Sequence, residues 1–287
     1  MDDWSNQPNN AKKSQGTATA PQGTATAPQG TATAPQGTAT APVEGGAAYS
    51  GAQADLIVKN GKMLKIYKSG SAFNAAVMPL VKKLKGKGVV VDLYDYGTMD
   101  HEGEQRQFEL MKYYPGGAVS GVDLKGNKEA IVTIVRKVAE ALDTCHRAGF
   151  LHKDVKPANI LIRDKSTWDC VLCDFGIADV LDHGKVTTQQ ARTPVYAAPE
   201  VYERTITLGN QTLCELTPAA DFYSLGMTIL CLWYGESTFR QKETTLAIQK
   251  VHDGIVVPTD MPDPLYTLTR GLLVKDPAHR WSWKEVK

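Results

Sequence analysis

The sequence predicts an α+β protein of two unequal lobes, a small β-rich one followed by a larger helical one, behind a tail that cannot build a core. Three observations carry this. Residues 55–68 and the short apolar runs Val89–Leu93 and Phe108–Met111 have strand character. Beyond residue 128, apolar side chains recur at helical spacing. Residues 15–42 are four copies of Gln-Gly-Thr-Ala-Thr-Ala-Pro, each with Gly and Pro and without a large apolar residue.

Residues 1–14 are polar and are expected to be disordered. The repeat over 15–42 cannot form a heptad seam and reads as a flexible linker spanning roughly 30 Å as a coil. The first lobe is assigned to residues 43–112, with folded sequence starting near Gly45. Its segment 55–68 reads as two strands about an Asn60-Gly61 turn, and residues 72–84 as a helix in which Pro79 must lie in the first turns or cause a kink. The second lobe is assigned to 113–287. It opens with a helix over 128–148, whose buried face is Ile131, Ile134, Val135, Val138, Ala141, Leu142 and Cys145 and which Gly149 closes. Thr217-Pro218 marks the start of a further helix over 218–234.

The composition excludes several functions. With 32 Lys and Arg against 31 Asp and Glu, the net charge of +1 offers no footprint for nucleic acid or an acidic membrane. The run Lys82, Lys83, Lys85, Lys87 reads as a solvated helix end. No apolar stretch is long enough for a membrane span, and the acidic start Met1-Asp2-Asp3-Trp4 is not expected to be a secretory signal. Five cysteines without framework spacing point to reduced thiols and a cytoplasmic location. Cys170 and Cys173 have CxxC spacing but no second ligand pair for zinc.

Three motifs carry the chemistry: His152-Lys153-Asp154-Val155-Lys156-Pro157-Ala158-Asn159, then Asp174-Phe175-Gly176, then Ala198-Pro199-Glu200. In this order, with Lys65 upstream in Met63-Leu64-Lys65-Ile66-Tyr67, they resemble the eukaryotic-like Ser/Thr protein kinases of bacterial type over residues 45–287. The resemblance implies a bilobal protein-kinase-like fold. It also implies transfer of the ATP γ-phosphoryl group to Ser or Thr hydroxyls of protein substrates, with Mg²⁺. Asp154 is then the group that accepts or orients the hydroxyl proton, and Lys156 contacts the γ-phosphate. Asn159 and Asp174 hold Mg²⁺, and Lys65 pairs the α- and β-phosphates. The nucleotide site implied comprises Gly51, Leu56, Met63, Lys65, Met111 as gatekeeper, Lys112 and Tyr114 at the adenine edge, Leu161 beneath the ring and Cys173 behind it. Lys68 is the competitor for the role of Lys65. Thr193 matches the threonine that bonds the Asp and Lys of Ser/Thr kinases, Asp221 the buried acid that ties down their loop, and Arg280 the partner of Glu200. Phe175, His152, Leu93 and Leu80 match the stacked spine between the lobes.

The sequence departs from the family pattern in several places. Tyr49 and Ala54 flank Gly51 where glycines are usual, Lys153 replaces an arginine, and Arg192 replaces a glycine. Residues 69–101 contain no Glu, so the helix glutamate that should pair Lys65 is missing; counting from Leu80 puts Ala76 in its place. Asp55, Asp92 and Asp174 are the substitutes considered. The chain stops at Lys287, before the last helix of the family is complete, so a C-terminal truncation is expected. The alternative to an active kinase is a pseudokinase that binds nucleotide and acts as a scaffold. The long segment 174–200 speaks against a small-molecule phosphotransferase of related fold. Thr187 and Thr188 in that segment are expected autophosphorylation sites, with Lys153 as phosphate partner.

Overall fold

The computed structural model describes residues 39–40, 47–51, 53–189, 193–203, 205–208, 211–240 and 243–287. The tail, the repeat up to residue 38 and Arg192 lie outside them, and with them the linker expectation. The first lobe is a six-stranded antiparallel sheet in the order β1-β2-β3-β4-β6-β5. Its strands are β1 (Ala39–Thr40), β2 (Ala47–Ser50), β3 (Ala54–Lys59), β4 (Lys62–Tyr67), β5 (Leu93–His101) and β6 (Glu104–Lys112). β1 pairs Ala39 with Tyr49 and Thr40 with Ala48, so the sheet reaches into the last copy of the repeat.

Asn60 and Gly61 both have positive φ, as a two-residue turn matching the right-handed strand twist requires. The same device closes the β5–β6 hairpin at Glu102-Gly103. That hairpin was not predicted at its true length, because its sequence is polar and alternates weakly. The expected strand Val89–Leu93 is not one: only Leu93 belongs to β5. The residues before it attach the first lobe to the second. Val91 N–H donates to Leu172 O at 2.9 Å, and Leu172 N–H donates to Val89 O at 3.0 Å.

The expected helix over 72–84 is shorter, α1 (Met78–Lys83). Asn74 Oδ1 accepts from Ala76 N–H at 3.0 Å, which turns the chain locally. Pro79, lacking an N–H, sits in the first turn. Ala76 is therefore exposed and outside the helix.

The second lobe is built on α2 (Lys128–Arg147) and α4 (Ala219–Tyr234). Asn127 caps α2 by accepting from Ala130 N–H, and all seven predicted face residues are buried. α4 is buried almost throughout, from Ala220 to Leu232, as a helix at the centre of a lobe must be. Around them lie β7 (Phe150–Leu151), β8 (Ile160–Asp164), β9 (Asp169–Leu172), β10 (Asp179–Val180), α3 (Glu200–Glu203), α5 (Ser237–Arg240), α6 (Glu243–His252), α7 (Leu265–Leu272) and α8 (Trp283–Val286). β11 (Val186–Gln189), β12 (Thr205–Leu208) and β13 (Gln211–Leu216) form a separate three-stranded sheet, β11-β13-β12, that the sequence did not suggest. Gly116, just after β6, passes so close to β8 that a Cβ there would lie 2.4 Å from Ile162 O. This is the two-lobed α+β architecture that the motifs implied.

A buried ion pair fixes the base of the second lobe. Arg280 reaches Glu200 with both terminal nitrogens, at 2.7 and 3.0 Å. The Arg280 guanidinium also lies 4.9 Å from the centre of the Tyr223 ring, with Lys250 Nζ 5.6 Å from the same ring. Arg280→Ala would leave the Glu200 carboxylate buried without its partner and is expected to cost about 3–5 kcal/mol of stability. Urea unfolding measures it, and a loss below about 1 kcal/mol would deny the pair a structural role.

Candidate active site

The site begins with a buried carboxylate. Asp221, in the first turn of α4, is 1% exposed. Its Oδ2 accepts from His152 N–H at 2.9 Å and from His146 Nε2 at 2.8 Å, and its Oδ1 accepts from Lys153 N–H at 2.8 Å. Burial works against its charge, but the His146 bond and the other donors prevail and hold its pKa below the usual value. The clamp keeps Lys153 in the left-handed region at φ 71°. Just beyond it, Asp154 N–H donates to His152 Nδ1 at 3.2 Å, while His152 Nε2 donates to Cys173 O at 2.9 Å.

This backbone presents Asp154 to a compact set of side chains. Lys156 Nζ is 2.7 Å from Asp154 Oδ2 and 3.0 Å from Thr193 Oγ1, and Thr193 donates to Asp154 Oδ1 at 3.0 Å. Asn159 Nδ2 donates to Asp154 O at 2.8 Å and to its Oδ2 at 2.9 Å. The predicted association of Asp154, Lys156 and Thr193 is therefore present.

The second group links the lobes. Lys65 Nζ is 2.8 Å from Asp174 Oδ1. Burial lowers the Lys65 pKa, but Asp174 outweighs it and raises the pKa well above the usual value. Asp174 has φ 63°, and Phe175 beside it packs edge-on against His152, ring centres 5.0 Å apart. Leu93 is fully buried and Leu80 packs half-buried against the same core. Lys68 lies elsewhere: it bonds Ser50 Oγ at 2.9 Å and sits 3.6 Å from Asp55, so neither residue joins the Lys65 site. Asp92 is also engaged, its Oδ1 accepting from Gly86 N–H at 2.7 Å.

The residues predicted to hold the nucleotide lie on β3, β4, β6 and β8 and on the segments that follow β2, β6 and β9. Leu56 pairs with Lys65 across β3–β4, and Met63 pairs with Met111 across β4–β6. Met111 and Cys173 are buried, and half-buried Leu161 is bridged to Ala118. Lys112 N–H is bonded to Asp92 O at 3.0 Å, and the Tyr114 hydroxyl accepts from Asp92 N–H at 3.2 Å. Gly51 N–H donates to Ala54 O at 2.9 Å.

A divalent ion fits the donor set. Asp174 is ionised, and the Asn159 amide nitrogen is bound to Asp154, which turns its carbonyl oxygen the other way. Hard oxygen donors suit Mg²⁺, which takes few protein ligands alongside phosphates. Among the described residues no group of three His, Cys, Asp or Glu is gathered for an all-protein metal centre.

Sequence reasoning missed two participants. Glu109 on β6 is 2% exposed and accepts a short hydrogen bond from the Tyr67 hydroxyl. Lys250 on α6 is fully buried, and its Nζ donates to the carbonyls of Pro194, Val195 and Ala197 at 3.0, 2.7 and 2.9 Å. It thereby fixes the chain just after Thr193. A charged residue amid strand or helix apolar neighbours was the available signal in both cases.

Comparison with known proteins agrees with this geometry. The family model described as "Protein kinase domain" matches residues 79–287. The chain is 27% identical over 219 residues to serine/threonine-protein kinase TIO of Arabidopsis thaliana, covering 72% of this chain and 15% of that protein. It is 28% identical over 193 residues to serine/threonine-protein kinase RUNKEL of the same plant, covering 65% of this chain and 13% of that protein. The chain thus spans only a small part of these relatives' length.

Asp174 supplies a pH signature. Burial raises its pKa, but the Lys65 charge and hydrogen bond prevail and hold it at about 2, against the ordinary 3.8. The stabilisation is complete above the ordinary value and is lost as pH falls through about 2. Between about pH 5 and pH 2, the wild type should lose on the order of 2 kcal/mol more than Asp174→Asn. Denaturant unfolding across that range measures it, and parallel curves would refute the depressed pKa.

Proposed function

The chain belongs to the protein kinase family, and we propose that it is an active Ser/Thr kinase using Mg²⁺ and ATP to phosphorylate protein hydroxyls. The observation that carries this reading is the Asp154–Lys156–Thr193 triangle, with each side a hydrogen bond or ion pair of 2.7–3.0 Å. The lysine two positions after Asp154 and the threonine it meets are the pair by which the sequence resembles Ser/Thr kinases.

The proposed division of labour follows from charge and position. Asp154 accepts the proton of the substrate hydroxyl as that oxygen bonds to phosphorus and the bond to the leaving diphosphate breaks. Lys156 lies beside it to balance the charge on the transferred group. Thr193 holds both side chains in register, so that little reorganisation is needed during transfer. Lys65 steadies the non-transferred phosphates. Asn159 and Asp174 would hold Mg²⁺, which offsets phosphate charge. Lys112 and Tyr114 supply main-chain groups for the adenine edge, with Leu56, Leu161, Met111 and Cys173 around the ring. Five buried free cysteines are consistent with a reducing, cytoplasmic setting.

One observation favours the pseudokinase reading: α1 brings no acid to Lys65, which is paired instead with Asp174. A nucleotide-binding scaffold could tolerate this.

Asp154→Asn separates the two. Transfer should fall by about 10²–10⁴-fold while MgATP affinity stays within about threefold. Phosphoamino-acid analysis with labelled ATP and calorimetric titration read the two quantities. Full transfer in this variant would sink the assignment of Asp154, and none in the wild type would favour the scaffold. A second expectation concerns the activation segment. Thr188 Oγ1 accepts from Lys153 Nζ at 2.8 Å, whereas Thr187 is paired across the ladder with Glu215. Both signs lie near each position, since Lys153 is paired with Asp179 and Glu215 with Lys185, so it is the direct bond to Lys153 that favours a phosphate on Thr188. Mass spectrometry after incubation with MgATP should find Thr188 modified in preference to Thr187, and phosphate confined to the repeat threonines would defeat this.

A further inference from the structure

Lys65 lacks the acid that α1 should provide. No Glu occurs in residues 69–101, and the aspartates there are engaged or exposed: Asp92 with Gly86 N–H, Asp95 with Lys82 at 3.1 Å, and Asp100 on the surface. Asp174 now pairs with Lys65, but under the kinase reading Asp174 is also a metal ligand. Its charge would then be shared with the ion, and Lys65 would need a second counter-charge to stay aimed at the phosphates.

Glu109 meets that need. It is the direct cross-strand partner of Lys65 in the β4–β6 ladder, so both side chains rise from the same face. Directly opposed residues have Cβ atoms about 4.5–5.5 Å apart. Tyr67, two residues along on that face, joins them: its hydroxyl donates to Glu109 Oε1, and Lys65 Nζ lies 4.7 Å from its ring centre. The cluster abuts Asp174-Phe175-Gly176, where a Cβ on Gly176 would lie 3.2 Å from both the Tyr67 hydroxyl and Asp174 Oδ1. Glu109 is 2% exposed; burial raises its pKa, and the Lys65 charge opposes that rise.

We propose that Glu109 is the positioning residue for Lys65, taking from a central strand the role that a helix glutamate has elsewhere in the family. The inference rests on the kinase reading for what Lys65 does; the cross-strand placement of Glu109 opposite it stands without that reading. A strand acid has a further consequence. Glu109 and Lys65 sit on adjacent hydrogen-bonded strands, so their alignment does not depend on the placement of α1.

Glu109→Gln tests this, because it keeps the shape and the acceptor for Tyr67 and removes only the charge. MgATP affinity, measured by calorimetry, should fall about tenfold or more, and kcat/KM for ATP by about 100-fold. The melting temperature should move little. In a Lys65→Met background the same change should have no further effect on affinity. Glu109→Asp, which keeps the charge on a shorter arm, should lie between wild type and Glu109→Gln, and guards against a folding defect in the amide variant. Affinity within twofold of wild type in Glu109→Gln, or equal losses with and without Lys65, would overturn the proposal. A wild type that binds MgATP without transferring phosphate would overturn the kinase reading alone, and the calorimetric comparison would still decide the role of Glu109.

Discussion

Everything at the site hangs on one buried charge. Asp221 lies at the start of the most buried helix and accepts two backbone N–H groups of the loop 152–159 together with His146 Nε2. A carboxylate at that depth is stable only if its oxygens are filled, and the loop supplies the donors by adopting a strained left-handed turn at Lys153. The turn carries Asp154 outward, and Asn159, Lys156 and Thr193 fix its carboxylate. The hydrophobic core sets where α4 is, α4 sets where Asp221 is, and the loop follows.

The lobes are coupled in two chemically different ways. Below the sheet, main-chain bonds stitch residues 89–91 to Leu172, and the Phe175 ring packs on His152. Inside the cleft, the contact is ionic, between Lys65 and Asp174. The first kind does not respond to ligand charge and keeps the lobes together. On the proposed reading the second lies where a nucleotide and its metal would enter, so it is the contact that would be exchanged without loosening the core.

The three motifs and their partners were legible because phosphate chemistry demands particular residue types at short, fixed spacings. Period-2 alternation placed Lys65 on the face of Met63, Lys68 fell at the strand end without an apolar frame, and helical periodicity gave the buried face of α2. What stayed hidden depends on contacts remote in sequence. Glu109 acquires meaning only when β6 is laid beside β4, since its apolar neighbours in the sequence mark an unusual charge without naming its partner. Lys250 is an ordinary helix lysine until the carbonyls of 194–197 are folded onto it. The hairpin β12–β13 is short: Thr205-Ile206-Thr207-Leu208 does alternate, but four residues are too few to announce a sheet whose other strand, β11, is remote in sequence. The extent of α1 was overestimated because Asn74 and Pro79 decide its start, and helical periodicity does not register either.

The small sheet β11-β13-β12 has a mechanical side. Thr187 and Thr188 lie in β11, whose backbone is laddered to β13 from Val186↔Leu216 through Gln189↔Leu213. An extended segment threading another molecule's cleft cannot keep that ladder, so its four rungs must unzip first. The vacated flank of β13 is then a bare row of amides and carbonyls, a template for any passing strand. Chemical modification of the segment and transient stickiness of the domain would therefore be two faces of one opening event, tuned by the same hydrogen bonds.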